Sequence, residues 1–151
     1  MIYNNIGLIY CELNEIDKSI DYFNRSISFR KVHDIEHINR SIIDMSSAYV
    51  KENSYDKAIE LLYEGIALCD KYSDAEFLIR GYSILEDIYI KLNDNNKLEE
   101  MYLILIKIFK DIDLIKVLGI YIKLSLLYMD IGKYDKSKEI LHEANNVQKL
   151  L

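Results

Sequence analysis

The sequence predicts an all-α protein built from repeated helical hairpins, and three observations lead to this prediction. The 151 residues include no proline and only five glycines, the two residue types that break or weaken helix interiors. A tyrosine recurs at positions 10, 49, 89 and 128, at spacings of 39, 40 and 39 residues. Each period holds two stretches with the i, i+3, i+4, i+7 apolar spacing of an amphipathic helix. One hairpin cannot bury its apolar face alone, so we expect four stacked pairs.

The apolar periodicity also locates the individual elements. It places helices near residues 2–13, 16–32, 35–52, 55–71, 74–92, 95–111, 114–131 and 134–149. The turn inside each pair carries Asn14, Asn53, Asn93 or Gly132, and both residue types tolerate the left-handed conformation that ends a helix. We expect repeats near 2–34, 35–73, 74–112 and 113–151. Together they form one repeat domain, residues 1–151, which we interpret as a fragment of a longer protein.

The first pair opens with an aromatic-x-x-Ile-Gly-x-x-Tyr pattern from Tyr3 to Tyr10. This pattern resembles the W-x2-L-G-x2-Y opening of a tetratricopeptide repeat. The resemblance continues in register through all four pairs and implies a right-handed superhelix, an α-α solenoid of about eight helices. The positions where the family places small residues hold Gly7, Ser46, Glu86 and Ser125 in the first helices, and Ser19, Ala58, Leu98 and Ser137, then Ser26, Gly65, Leu105 and Ala144, in the second helices.

The third repeat departs from this pattern, with Glu86, Leu98 and Leu105 at positions that are small elsewhere. One interpretation is a looser hairpin in which Glu86 turns out to solvent. The other is a bend that brings Glu86 close to a ligand, because a carboxylate in an apolar site must be paired or protonated.

The resemblance also implies a binding face, because the first helix of each tetratricopeptide repeat lines a concave groove. The expected groove residues are Asn4, Asn5, Arg40, Asp44, Ser47, Lys51, Arg80, Ser83, Asp87, Lys91 and Lys123. Regular donors and acceptors suit the backbone of an extended peptide, and its carboxylate suits Arg or Lys. The alternative for part of this set is solvation of the helix face by i,i+4 pairs, Arg40 with Asp44 and Asp87 with Lys91.

A unit of about 40 residues without proline is similar to the sensor region of peptide-responsive regulators of Gram-positive bacteria, the Rap, NprR and PlcR group. The resemblance implies a non-enzymatic scaffold that binds a peptide or protein segment, as the peptide-sensing or regulatory region of a bacterial transcriptional regulator. The alternative is a general protein–protein interaction scaffold or oligomerisation module, which could form a homodimer through its uncovered last helix. Family members that bind chaperones use a carboxylate clamp, which needs Lys and Asn at defined groove positions. Those positions hold Asn4, Leu8 and Asp44 here. The pattern does not match, so we do not expect a chaperone partner.

Composition narrows the function classes further. The net charge of −6 argues against direct nucleic-acid binding, which needs a basic face. No apolar run is long enough for a membrane span and no signal peptide opens the chain, so we expect a cytoplasmic protein. Phosphate-loop, nucleophile-elbow and zinc-protease motifs are missing from the sequence. Two cysteines and three histidines lack the spacing of a metal site, so we expect no enzyme activity, cofactor or metal.

Overall fold

The computed structural model describes residues 2–151, and all the regular secondary structure in this range is helical. The helices are α1 (Ile2–Glu12), α2 (Ile16–His33), α3 (Ile38–Lys51), α4 (Tyr55–Tyr72), α5 (Ala75–Leu92), α6 (Asn95–Phe109), α7 (Leu114–Asp130) and α8 (Tyr134–Gln148). A 3-10 turn, Ile35–His37, precedes α3. The predicted boundaries agree within one or two residues, except at the start of α3, where this turn replaces the first α-helical turn. The expected all-α class is confirmed.

The turn inside each helical pair repeats one hydrogen-bonding pattern. Asn14, Asn53 and Asn93 have φ of 60°, 59° and 54°, and Gly132 has φ of 74°. In each turn the N–H of the following residue donates to the carbonyl of the recurring tyrosine, at 2.8–2.9 Å. This is the Schellman arrangement, which satisfies a carbonyl left free at a helix end. The recurring tyrosines therefore mark the last turn of each first helix, and the predicted left-handed turn residues are confirmed.

The chain forms two compact units, the first extending through Ile88 and the second comprising Tyr89–Leu151. In the first unit, α1 packs against α2 and α3, and α3 packs against α4. A cluster of Cys11, Phe23, Met45 and Ala48 is buried where these helices meet. In the second unit, α7 packs against α6 and α8. Within residues 2–151, no helix has the length and apolar character that a membrane crossing requires.

The expected small positions are sites of close helix approach. A Cβ on Gly7 would lie 2.9 Å from the Phe23 ring, and one on Gly65 would lie 2.5 Å from Ile43 Cγ1. Ala58 is fully buried. In the third repeat the larger Leu98 and Leu105 fill these positions and are buried, while Glu86 is only half-buried.

Candidate functional site

Three first helices of the first unit are joined by polar side chains. Asn4 on α1 and Asp44 on α3 are only 7% and 2% exposed. Asn4 Nδ2 donates a hydrogen bond of 2.7 Å to Asp44 Oδ2. From α5, Arg80 Nη2 lies 2.9 Å from Asp44 Oδ1, an ion pair without hydrogen-bond geometry. A buried carboxylate thus links helices from three successive repeats.

Burial governs the electrostatics of this network. It raises the pKa of Asp44, and the hydrogen bond from Asn4 and the charges of Arg80 and Arg30 oppose this rise only in part. Arg30 is itself 5% exposed and donates from Nη1 to Asp34 Oδ2 at 2.6 Å. Asn4 Oδ1, Asp44 Oδ1 and Arg30 Nε receive or donate no hydrogen bond within the described residues. Asp44 Oδ1 nevertheless lies 2.9 Å from Arg80 Nη2, so a cation stands beside the carboxylate although this oxygen accepts no hydrogen bond.

A second network lies between α3 and the start of α5. Asp74 Oδ2 accepts from Asn39 Nδ2 at 2.9 Å and from Arg40 Nε at 2.8 Å. Burial acts to raise the pKa of Asp74, but these hydrogen bonds outweigh it and hold the pKa below its usual value. Asp74 is therefore an ionised anchor, and Arg40 is held through Nε alone.

The two arginines meet at one aromatic ring. Arg40 Cζ lies 5.0 Å and Arg80 Cζ 5.7 Å from the centroid of Phe77, within the range of cation–π attraction. Their side chains remain 34% and 46% exposed. An open hollow of about 220 Å³ adjoins this group, lined by Glu36, His37, Arg40, Tyr72, Ser73, Asp74 and Ala75. Chemically, the group offers two oriented guanidinium groups to an anionic ligand.

The residues expected in the groove divide by exposure. Asn4 and Asp44 are buried, Arg40 and Ser47 are half-buried, and Asn5, Lys51, Arg80, Ser83, Asp87, Lys91 and Lys123 are exposed. The structure brings together Asn4, Asp44 and Arg80, with Arg40 beside them on Phe77. Lys91 and Lys123 belong to the second unit. The alternative of an i,i+4 pair between Arg40 and Asp44 is wrong, because Arg40 pairs with Asp74 and Asp44 with Arg80.

Sequence reasoning missed Arg30, Asn39, Asp74 and Phe77. The side-chain partners of Asn39 and Asp74 lie 30 or more residues away along the chain, so no local spacing reveals these two. Arg30 and Asp34 have i,i+4 spacing, and Phe77 and Arg80 have i,i+3 spacing. These spacings do not show that Arg30 is buried or that two arginines share the Phe77 ring. Asp74 carried a further signal, because an aspartate at the start of a predicted helix is a typical N-cap. It accepts from Phe77 N at 3.4 Å in addition to anchoring Asn39 and Arg40.

A separate polar cluster lies in the second unit around Glu99 of α6. It accepts hydrogen bonds from Tyr128, Lys133 and Lys136 at 2.9, 3.0 and 3.0 Å. Burial acts to raise the pKa of Glu99, but these three donors outweigh it and lower the pKa to about 2. Burial and the bond to Glu99 raise the pKa of Tyr128 to about 12. The cluster therefore joins α6 to the α7–α8 hairpin through charge-assisted hydrogen bonds.

We expect Glu99→Gln to destabilise the protein by about 1–2 kcal/mol at neutral pH and by little near pH 2. The folded pKa lies below the usual 4.5, so the contribution is present above pH 4.5 and is lost as the pH falls towards 2. Exposure of the two lysines screens the interaction and limits its size. Urea melts across this pH range measure the effect, with the exposed Glu100→Gln as control. An equal loss at both ends of the range would contradict the assignment.

The structure also places the chain's metal-ligand residue types and thiols. Among residues 2–151, no three His, Cys, Asp or Glu side chains are grouped so that they could hold a metal ion. Cys11 and Cys69 are buried and unbridged, and burial raises the pKa of both thiols. Thiols in such surroundings are poor nucleophiles.

Parts of the chain are similar in sequence to known proteins. Residues 2–33 and 118–148 match the tetratricopeptide repeat family. Response regulator aspartate phosphatase J of Bacillus subtilis (strain 168) is 24% identical over 100 residues, 66% of this chain and 26% of that protein. Response regulator aspartate phosphatase A of the same strain is 25% identical over 98 residues, 65% of this chain and 26% of that protein. The chain thus matches about a quarter of the length of these relatives.

Solved structures extend the likeness along the chain. BtubC (BKLC) from P. vanneervenii superposes with a TM-score of 0.71 at 13% identity, covering 99% of this chain and 63% of that one. A Podosopora anserina protein assigned as a kinesin light chain, with nearly identical TPR-like repeats, gives a TM-score of 0.65 at 17% identity, covering 97% and 73%. At these identities the likeness concerns the fold alone. The match to the tetratricopeptide repeat family thus covers residues 2–33 and 118–148, and along the rest of the chain the likeness to these structures is one of fold.

Proposed function

We propose that the chain binds an extended peptide, or a segment of a partner protein, on the face formed by α1, α3 and the first part of α5. The observation that carries the proposal is the convergence of Arg40 and Arg80 on Phe77. Both guanidinium groups are held by buried carboxylates, and burying a carboxylate is costly. Arginines that only solvated the surface would not need such partners.

The geometry favours a ligand that carries a carboxylate. Asp74 holds Arg40 through Nε, which leaves the two terminal nitrogens to bind a carboxylate in the paired geometry that arginine favours. Arg80 contacts Asp44 through Nη2 alone. The nearby Asn5 and Ser83 are exposed and can serve the backbone of the same ligand. A peptide C-terminus or an acidic side chain is the matching group.

The relatives support a proposal for the role in the cell. Both curated relatives are named response regulator aspartate phosphatases, and we propose that this chain likewise acts as a peptide-sensing or regulatory region in the bacterial cytoplasm. The match spans only about a quarter of those proteins, so we do not extend the phosphatase activity in their names to this chain. For this chain we propose binding without catalysis, and no direct contact with nucleic acid.

The test is a library of short peptides with free C-termini, screened by fluorescence polarisation against the chain and against Arg40→Gln. We expect about tenfold weaker binding of each selected peptide, the scale of one charge-assisted hydrogen bond. Amidation of the peptide C-terminus should weaken binding to the parent chain by a similar factor. Arg25→Gln is the control, because Arg25 forms an exposed pair with Asp21 on α2. Unchanged binding by Arg40→Gln, for every selected peptide, would show that the site lies elsewhere.

A general interaction scaffold is the second candidate. It is favoured by a different observation, the exposed apolar side chains on α7, which lie in the second unit. A library that selects no peptide, together with self-association through α7, would support this candidate over the first.

A further inference from the structure

An apolar stripe runs along the exposed side of α7. Ile115, Ile122, Leu126 and Met129 are 71%, 45%, 54% and 48% exposed. Together with Gly119 they follow one another at intervals of 4, 3, 4 and 3 residues. This is the a/d spacing of a coiled-coil seam, which faces one partner helix along its length.

The repeat architecture does not demand apolar residues at these positions. In the preceding repeat, 39 residues earlier, the equivalent positions on α5 hold Glu76, Arg80, Ser83, Asp87 and Ile90. The first four are polar and exposed, and Ile90, the equivalent of Met129, is apolar and 53% exposed. The fold therefore accepts polar residues on this side of a first helix, and α7 departs from that pattern. Contiguous exposed apolar side chains generally mark an interaction surface.

We propose that the stripe is the contact surface between two copies of this chain, which pair through α7 in antiparallel orientation about a two-fold axis at Ile122. The stripe is complementary to itself in this orientation. Leu126 of each copy lies opposite Gly119 of the other, where a Cβ would meet no atom within 4 Å. Ile115 lies opposite Met129. A large side chain thus faces the one gap in the seam, as knobs-into-holes packing requires.

Charges beside the seam favour the same orientation. Lys116 and Asp130 each directly follow a seam residue, near opposite ends of α7. Antiparallel pairing sets Lys116 of one copy beside Asp130 of the other, twice. Parallel pairing would keep Lys116 and Asp130 at opposite ends of the seam, 14 residues apart in sequence, so this charge pair would not form between the copies. Lys116 also pairs with Asp113 on its own helix and is 44% exposed, so its ammonium group can serve a second carboxylate.

The seam belongs to one helix, so the interface lies at the small end of the range for protein pairs. We expect a reversible dimer whose population rises with concentration in the micromolar range. The residues of the α7 stripe lie in the second unit, from Tyr89 to Leu151. The proposed pairing therefore does not depend on the proposed peptide site, which lies in the first unit.

Sedimentation velocity over a concentration series tests the proposal. Ile122→Glu places two carboxylates on the two-fold axis and should raise the dimer dissociation constant at least tenfold. Ile104→Glu is the matched control, since Ile104 lies on α6 of the same unit and is 40% exposed; it should leave the dimer intact. A monomer at all concentrations up to well above the micromolar range, or a dimer that Ile122→Glu leaves unchanged, would overturn the proposal.

A charge exchange tests the orientation separately. Asp130→Lys should weaken the dimer by setting Lys116 beside a second lysine. Adding Lys116→Glu to the same chain restores opposite charges and should restore the dimer. Both charges suit the helix dipole, but Lys116→Glu also replaces the ion pair with Asp113 by two neighbouring carboxylates. The helix content and urea stability of the double variant are therefore measured alongside its sedimentation. Failure of the double variant to recover pairing would exclude the antiparallel arrangement.

Discussion

We expect Arg80→Ala to destabilise the protein by about 2–4 kcal/mol at neutral pH, because it leaves the Asp44 carboxylate buried without its cation. Removing one partner of a buried ion pair usually costs about 3–5 kcal/mol. The lower range reflects the position of Arg80, whose side chain is 46% exposed while that of Asp44 is 3% exposed. Urea denaturation followed by circular dichroism at 222 nm measures the loss.

The loss should depend on pH in a defined direction. Burial raises the pKa of Asp44 in the folded protein, so the native state binds a proton more tightly than the unfolded chain. The destabilisation is therefore smallest in acid and grows as the pH rises through the folded pKa. Without Arg80, one of the charges that oppose this rise is gone and the pKa rises further. The difference between variant and parent should accordingly widen between mildly acidic and neutral pH.

Two further variants separate this cause from a general loss of packing. Asp44→Asn combined with Arg80→Ala removes the uncompensated charge while keeping an acceptor for Asn4, and should recover most of the stability. Arg25→Ala removes a pair whose partners are 56% and 54% exposed, and should cost no more than a few tenths of a kcal/mol. A double variant as unstable as Arg80→Ala alone would mean that the arginine stem, not its charge, stabilises the fold.

The structure also changes what an arginine substitution can reveal about ligand binding. In sequence, Arg40 and Arg80 occupy equivalent repeat positions and both look like surface residues. In the structure both are paired with carboxylates on other segments, so removing Arg80 alters folding and binding together. Arg40 is the better probe of the ligand, because Asp74 keeps its bonds to Asn39 and to Phe77 N when Arg40 is replaced.

Local chemistry explains why the helices were predictable and the polar networks were not. Each helix shows its apolar period within a window of about 15 residues, and the turn inside each helical pair contains a residue that accepts positive φ. The positive φ of Ser73, 57°, between α4 and α5 was not predictable in this way, because serine rarely adopts that conformation. The small residues at helix crossings were also predictable, because they recur at fixed positions in the repeat.

The buried polar residues depend instead on contacts far apart in sequence. Asp44 pairs with residues 40 positions before it and 36 after it, and Arg40 pairs with Asp74, 34 positions on. An amphipathic pattern assigns Asn, Asp and Arg to the solvent face by default. Which of them another repeat covers depends on the distance between stacked hairpins, which the close approach of α5 to α4 at Gly81 helps to set.

Gly65→Ala should destabilise the protein by about 1–3 kcal/mol, although alanine is the better helix former by about 1 kcal/mol. The new Cβ would lie 2.5 Å from Ile43 Cγ1 and 3.2 Å from Ile43 Cδ1. Ile43 is fully buried, and its Cδ1 lies 3.4 Å from where a Cβ on Gly81 would stand. The side chain has no space to retreat into, so α4 must shift away from α3. Urea melts at low protein concentration measure the change.

Gly119→Ala provides the matched control, with the opposite sign expected. Both substitutions add one methyl group to a glycine inside a helix, and neither position has positive φ. At Gly119 the new Cβ meets no heavy atom within 4 Å, so only helix propensity changes and the monomer should gain about 0.4–1 kcal/mol. The contrast isolates interhelical packing from backbone preference. If both substitutions stabilise the protein to the same extent, the contact between Gly65 and Ile43 is not what sets the spacing of α3 and α4.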